Sequence, residues 1–151
     1  MIESEFIRVR ILPKDNITNY QELYEMQVDG ELAFTDTTEI RKRIVAKDLS
    51  PVELTQIYLN RIERLDTQLN SYLTVTADKA LESARSAERS VLRGETLGLL
   101  HGIPISIKDS ENTKDIRTTM GSLIYQDNIP INNIRFIIKD KSAIIPNNLY
   151  L

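Results

Sequence analysis

From Asp36 to Gly94 the apolar residues of this chain recur every three or four positions, and at Ile103 the pattern changes to strict alternation. Few architectures survive that switch, because a stripe of helical period and a face of period two need different backbones. Asp36-Thr37-Thr38-Glu39 puts a capping side chain before an acid at the third helical position and predicts a helix to about Lys47. Ser50-Pro51-Val52-Glu53 is a stronger start, with a serine cap, proline at the first helical position and a capping-box glutamate. Leu54, Ile57, Tyr58, Ile62 and Leu65 then predict a buried stripe ending near Leu65. Residues 69–75 read as extended. Thr76 opens a third helix with Ala77, Ala80, Leu81, Ala84, Ala87 and Val91 on one face, ended by Gly94. So much alanine on one face implies close packing against a sheet or a second helix.

The alternating run is Ile103-Pro104-Ile105-Ser106-Ile107-Lys108-Asp109, delivered by the loop Leu97-Gly98-Leu99-Leu100-His101-Gly102. It predicts a strand with the three isoleucines on one face and Ser106 and Lys108 on the other. Pro104 belongs near the strand's start or at an edge. Lys108 has two readings. A lysine closing an apolar strand can lay its stem along the core and keep its ammonium in water. It can also be buried, held neutral by desolvation and used as a base. The spacing does not choose between them.

Composition removes other classes of function. The chain has 151 residues, 41% hydrophobic and 27% charged, which is ordinary globular composition for one domain. The longest charge-free stretch, Thr96–Ile107, is twelve residues. A spanning helix needs about 20 apolar residues, so no membrane partner is expected. There is no cysteine, which excludes disulfides, thiolate metal sites and a cysteine nucleophile. His101 is the only histidine, so a multi-histidine metal site is excluded and Ser-His-Asp chemistry has no other base. No metal and no cofactor is expected. The acidic start, Met1-Ile2-Glu3-Ser4-Glu5, lacks the order of a secretory signal, and the cytoplasm is the expected location. Residues 1–30 carry six acids and three bases, and the other 121 residues balance. With no basic stripe, DNA is not an expected partner. Arg41-Lys42-Arg43 reads as the solvated face of the first helix.

Three segments follow: an N-terminal extension over 1–30, a legible region over 31–127 and a divergent tail over 128–151. The extension contains one short alternating run, Phe6–Ile11, stopped by Pro13. In the tail, Ile, Asn and Lys supply 14 of 24 residues, a bias expected of a decayed or out-of-frame end.

The residues of the middle region resemble the opening of the amidase signature family. The resemblance rests on Leu100-His101-Gly102-Ile103-Pro104-Ile105-Ser106-Ile107-Lys108-Asp109 followed by Arg117-Thr118-Thr119-Met120-Gly121-Ser122. Upstream it includes Glu31-Leu32-Ala33-Phe34, Leu49-Ser50-Pro51-Val52-Glu53-Leu54, Tyr58-Leu59-Asn60-Arg61-Ile62 and Thr76-Ala77-Asp78. It implies an α/β fold of helices packed on a mixed β-sheet, of which this chain holds the N-terminal portion. It also implies hydrolysis of carboxamide C–N bonds by a serine nucleophile, a second serine in a cis peptide, and a lysine acting as general base through that serine. Motif for motif, the lysine falls on Lys108. General amidases and the amidase component of glutamyl-tRNA amidotransferase share this pattern, and small-molecule amides are the implied substrates of intact relatives.

The chain departs from the family where the serines belong. The family's serines lie in a glycine- and serine-rich segment farther downstream than the 43 residues that follow Lys108. No two of Gly30, Gly94, Gly98, Gly102 and Gly121 are adjacent, so no such segment is present. Of the later serines, Ser110, Ser122 and Ser142, the second belongs to a structural turn after Gly121. Asp109 is expected to pair with a cation or cap a turn. In the tail, Ile134–Lys139 is the expected next helix and residues 141–145 echo the next strand, with Pro146-Asn147-Asn148-Leu149 in place of the family's glycine-lysine turn. The expectation is therefore a truncated amidase-lineage chain, inactive alone. The alternative is a non-enzymatic interaction module, or half-enzyme, whose complementing chain supplies the missing segment. Strand 103–107 should then keep an unpaired edge and an uncovered apolar face, which favours self-association.

Overall fold

The computed structural model describes residues 31–133 and 144–149. The expected strand Phe6–Ile11, the expected helix Ile134–Lys139 and Ser142 lie outside the described residues.

The first two helices begin where a side chain can satisfy free N–H groups of the opening turn. Helix α1 (Thr37–Val45) starts at Asp36, whose carboxylate accepts from Thr38 N. Hydrogen bonding from the Thr38 side chain, together with that backbone bond, holds the Asp36 carboxyl below its ordinary 3.8. Helix α2 (Pro51–Leu69) starts at Ser50, whose Oγ accepts from Val52 N and Glu53 N. The Glu53 carboxylate accepts in return from the Ser50 N–H, which completes the capping box. Ser50 Oγ also donates to Glu88 of the third helix. One serine thus caps one helix and ties it to another.

Helix α2 runs four residues past the expected end at Leu65. It stops at Asn70, which adopts a left-handed φ of 50°. Beyond it, Asp66 Oδ1 accepts from Ser71 N at 2.6 Å and Tyr72 N at 3.2 Å, so the last turn launches strand β1 (Tyr72–Val75). Asp66 is a polar residue off the apolar stripe, which is why the stripe alone misplaces the end. Helix α3 (Ala77–Leu92) follows, with Thr76 in the cap position but without a side-chain cap bond. Its buried residues are Ala80, Ala84, Ala87 and Val91, and Ala80 and Ala84 meet Val52 of α2. The alanine face therefore packs on a second helix, since small side chains let two helices approach closely.

The main core gathers Leu32, Ile40, Ile44, Leu49, Leu54, Val91 and Ile103. Two buried positions of α2, Thr55 and Leu59, lie outside the expected stripe. The buried Thr55 hydroxyl is satisfied by donating to Pro51 O at 2.8 Å. On the outer face of α1, Lys42 and Arg43 pair with Glu39, Arg43 also with Glu31, and Arg41 reaches the carbonyls of Leu97 and Gly98. The basic triplet is a helix face and a loop tether.

Strand β2 (Pro104–Lys108) and strand β3 (Ile144–Leu149) complete a three-stranded mixed sheet in the order β1-β3-β2. β3 runs antiparallel to β1 and parallel to β2. Pro146 lacks the N–H a central strand uses, and it falls where the register slips. Pro104 pairs with Ile144 but Ser106 with Asn147, so β3 carries an extra residue there. The α2–α3 layer packs on the sheet. Ile103 and Ile107 are buried, so the apolar face of β2 is covered, contrary to expectation. Among the described residues, the edge of β2 away from β3 is unpaired. No described helix is long and apolar enough to cross a membrane.

Gly94 and Gly102 both have left-handed φ but different surroundings. At Gly94 (φ +67°) a Cβ would meet nothing within 4 Å, whereas at Gly102 (φ +75°) it would lie 2.9 Å from Pro51 Cγ. Gly94→Ala should cost about 1–2 kcal/mol of backbone strain, and Gly102→Ala roughly 2–4 kcal/mol because overpacking adds to it. Denaturant midpoints check this, and equal losses would contradict the close approach. Burial raises the Glu53 carboxyl above its ordinary 4.5 despite the capping bond. Its charged form is the one folding disfavours, so its contribution is most favourable below pH 4.5 and is lost as pH rises through the raised value. Glu53→Gln keeps the box, so its thermal midpoint should exceed that of the unsubstituted chain at pH 7, the gap closing on acidification.

Candidate active site

Strand β2 ends in two adjacent residues with opposite fates. Lys108 is exposed on the face of the sheet away from the helices, and Asp109 is buried, 2% exposed. Among the described residues Lys108 is therefore not buried at the end of its strand. Two residues earlier, exposed Ser106 lies 3.2 Å from the Tyr72 hydroxyl, across β3. Tyr72 and Lys108 both stand in register with Leu149, so Tyr72, Ser106 and Lys108 share one face of the sheet.

A buried carboxylate needs donors, and Asp109 finds them ten to twelve residues on. Its Oδ1 accepts from Thr119 N at 2.7 Å, and its Oδ2 from Thr119 Oγ1 at 2.6 Å and Gly121 N at 2.9 Å. The Asp109 carbonyl accepts from Met120 N at 3.2 Å. Of the two roles expected for Asp109, the structure takes the turn cap. The pattern that announces it is an acid directly after an apolar strand, followed by Thr-Thr-x-Gly.

The segment so gripped is held from its other side as well. Thr118 N donates to Asn128 O at 3.0 Å, Asn128 Nδ2 to Thr118 O at 2.8 Å, and Arg117 Nη1 to Leu73 O at 3.4 Å. Ser122 Oγ accepts from Ile124 N and caps the 3-10 turn Leu123–Tyr125, so this serine is structural, as its place after Gly121 implies. Ser110 bonds its neighbour Glu111 on the surface. Around the turn Leu123, Ile124, Ile129 and Ile131 are exposed, Ile124 at 88%.

His101 is absorbed by the fold. Its Nε2 lies 3.0 Å from Ala87 O, which only accepts, so that nitrogen carries the proton and donates. The contact ties the loop before β2 to α3. Among the described residues no group of three or more His, Asp or Glu side chains could hold a metal ion.

The Amidase family profile matches residues 53–139, a span that includes Lys108, Asp109 and the Thr119–Gly121 turn. The chain is 41% identical over 108 residues to the A-type subunit of glutamyl-tRNA(Gln) amidotransferase from Gloeothece citriformis, covering 70% of this chain and 22% of that one. It is 46% identical over 92 residues to the corresponding protein of Nostoc punctiforme, covering 61% and 19%. Its structure superposes on native peptide amidase from Stenotrophomonas maltophilia with a TM-score of 0.72 and 32% identity, over 78% of this chain and 25% of that one. The chain therefore spans about a fifth of the length of the curated relatives it matches. Sequence, fold and the β2 exit motif agree: the chain belongs to the Amidase family.

Proposed function

We propose that this chain carries the lysine end of an amide-bond hydrolysis centre, with Lys108 as its general base. The observation that supports this most is the placement of Lys108. It stands at the exit of β2, on the face of the sheet that the helices leave open. A base there meets whatever further protein closes over that face. Closure would also exclude water, which favours the neutral amine that a base requires.

Within the family this chemistry uses a nucleophilic serine and a second serine in a cis peptide, with the lysine acting through the latter. Ser110 and Ser122 are not suited to either part, the first paired to Glu111 and the second capping a turn. The serines of the centre are therefore not assigned to Ser110 or Ser122. Carboxamides are the proposed substrate class, in keeping with relatives named as a peptide amidase and as amidotransferase subunits. The second name also supports a role beside other subunits.

The 151-residue chain alone should hydrolyse simple carboxamides no faster than background, because a base without a nucleophile and an oxyanion hole has nothing to activate. Joined in frame to the downstream part of its Gloeothece citriformis amidotransferase relative, it should gain amide hydrolysis. Lys108→Ala in that fusion should lower kcat by about 10²–10⁴-fold. Fusion activity indifferent to Lys108 would overturn the assignment.

A further inference from the structure

Among the described residues no hydrogen bond or ion pair holds the Lys108 ammonium. What the chain supplies instead is control of the backbone on both sides of it. The strand pairs Lys108 with Leu149, and the Lys108 carbonyl accepts from Glu111 N at 2.9 Å. The next residue is Asp109, whose carboxylate takes three hydrogen bonds from Thr119 and Gly121 while its carbonyl takes one from Met120. Met120 and Gly121 are both left-handed, at φ +53° and +66°. A non-glycine residue keeps that conformation only where its surroundings over-determine it. Here the Asp109 carboxylate and carbonyl do so, by engaging the amides of three successive residues.

We propose that Asp109 is a positioning residue for Lys108. By gripping Thr119–Gly121 it locks the end of β2, and so sets the point and direction at which the Lys108 stem leaves the sheet. This rests on the reading of Lys108 as the base, and adds that its placement is complete before any serine is supplied.

The test uses the full chain with its lysines carrying carbon-labelled dimethyl groups, the Lys108 signal being identified by its loss in Lys108→Arg. Asp109→Ala should speed amide exchange at Thr119 and Gly121 by about tenfold or more while α1 and α2 keep their protection. It should also move the Lys108 dimethyl signal away from its position in the unsubstituted chain. Asp109→Asn keeps the Oδ1 acceptor for Thr119 N and should fall between. A turn that loosens while the Lys108 signal stays in place would overturn the proposal, leaving Asp109 a turn cap alone. If Asp109→Ala does not fold, Asp109→Asn decides by the same signal, and an unmoved signal again overturns it. The general-base reading fails separately, through the hydrolysis assay on the fusion, since a positioned lysine need not be a base.

Discussion

Everything downstream of the helices depends on how the chain passes α2 to enter the sheet. At Gly102 the backbone crosses the first turn of α2 so closely that a methyl group would meet the ring of Pro51. On one side of this crossing His101 is tied to α3, and on the other Ile103 enters the main core. The same turn of α2 is capped by Ser50, whose hydroxyl is bonded to Glu88 of α3. A glycine, a proline and a serine therefore join three elements at one point. The direction of β2, and with it the location of Lys108, follows from that junction.

The helices and β2 were legible because their signals are local. Capping residues announce α1 and α2, and the alanine period announces the buried face of α3. Alternation from Ile103 to Ile107 sorts Ser106 and Lys108 to the opposite face without reference to anything distant. What escaped depends on partners far along the chain or on residues outside the apolar pattern. The extra turn of α2 is set by Asp66 and Asn70, polar residues that a search for apolar spacing passes over. β3 begins within the expected echo but continues through Pro146-Asn147-Asn148, residues that local propensity assigns to turns. Strand pairing on both sides outweighs that preference, with the proline placed at the register slip.

The candidate site divides in the same way. Lys108 could be located from its motif, but the motif carries no information on which groups surround it. The cluster of Tyr72 and Ser106 spans two strands separated by a third, so only the assembled sheet reveals it. The Asp109 grip joins residues ten to twelve apart; its acid and its Thr-Thr-x-Gly partner are visible in the sequence, but the backbone amides that complete it are not. Coarse recognition of the family and detailed knowledge of its geometry thus rest on different information.

The middle place of β3 has a consequence for how the molecule assembles. β1 and β2 are made first, yet among the described residues neither pairs with the other and each pairs with residues 144–149. During synthesis the helices can therefore pack long before the sheet acquires any interstrand bond. Closing it then requires loops spanning the interval from β1, and from β2, to β3, contacts of high sequence separation that form slowly. Until that moment both strands present free backbone edges, and the nascent chain is most open to mispairing during this interval.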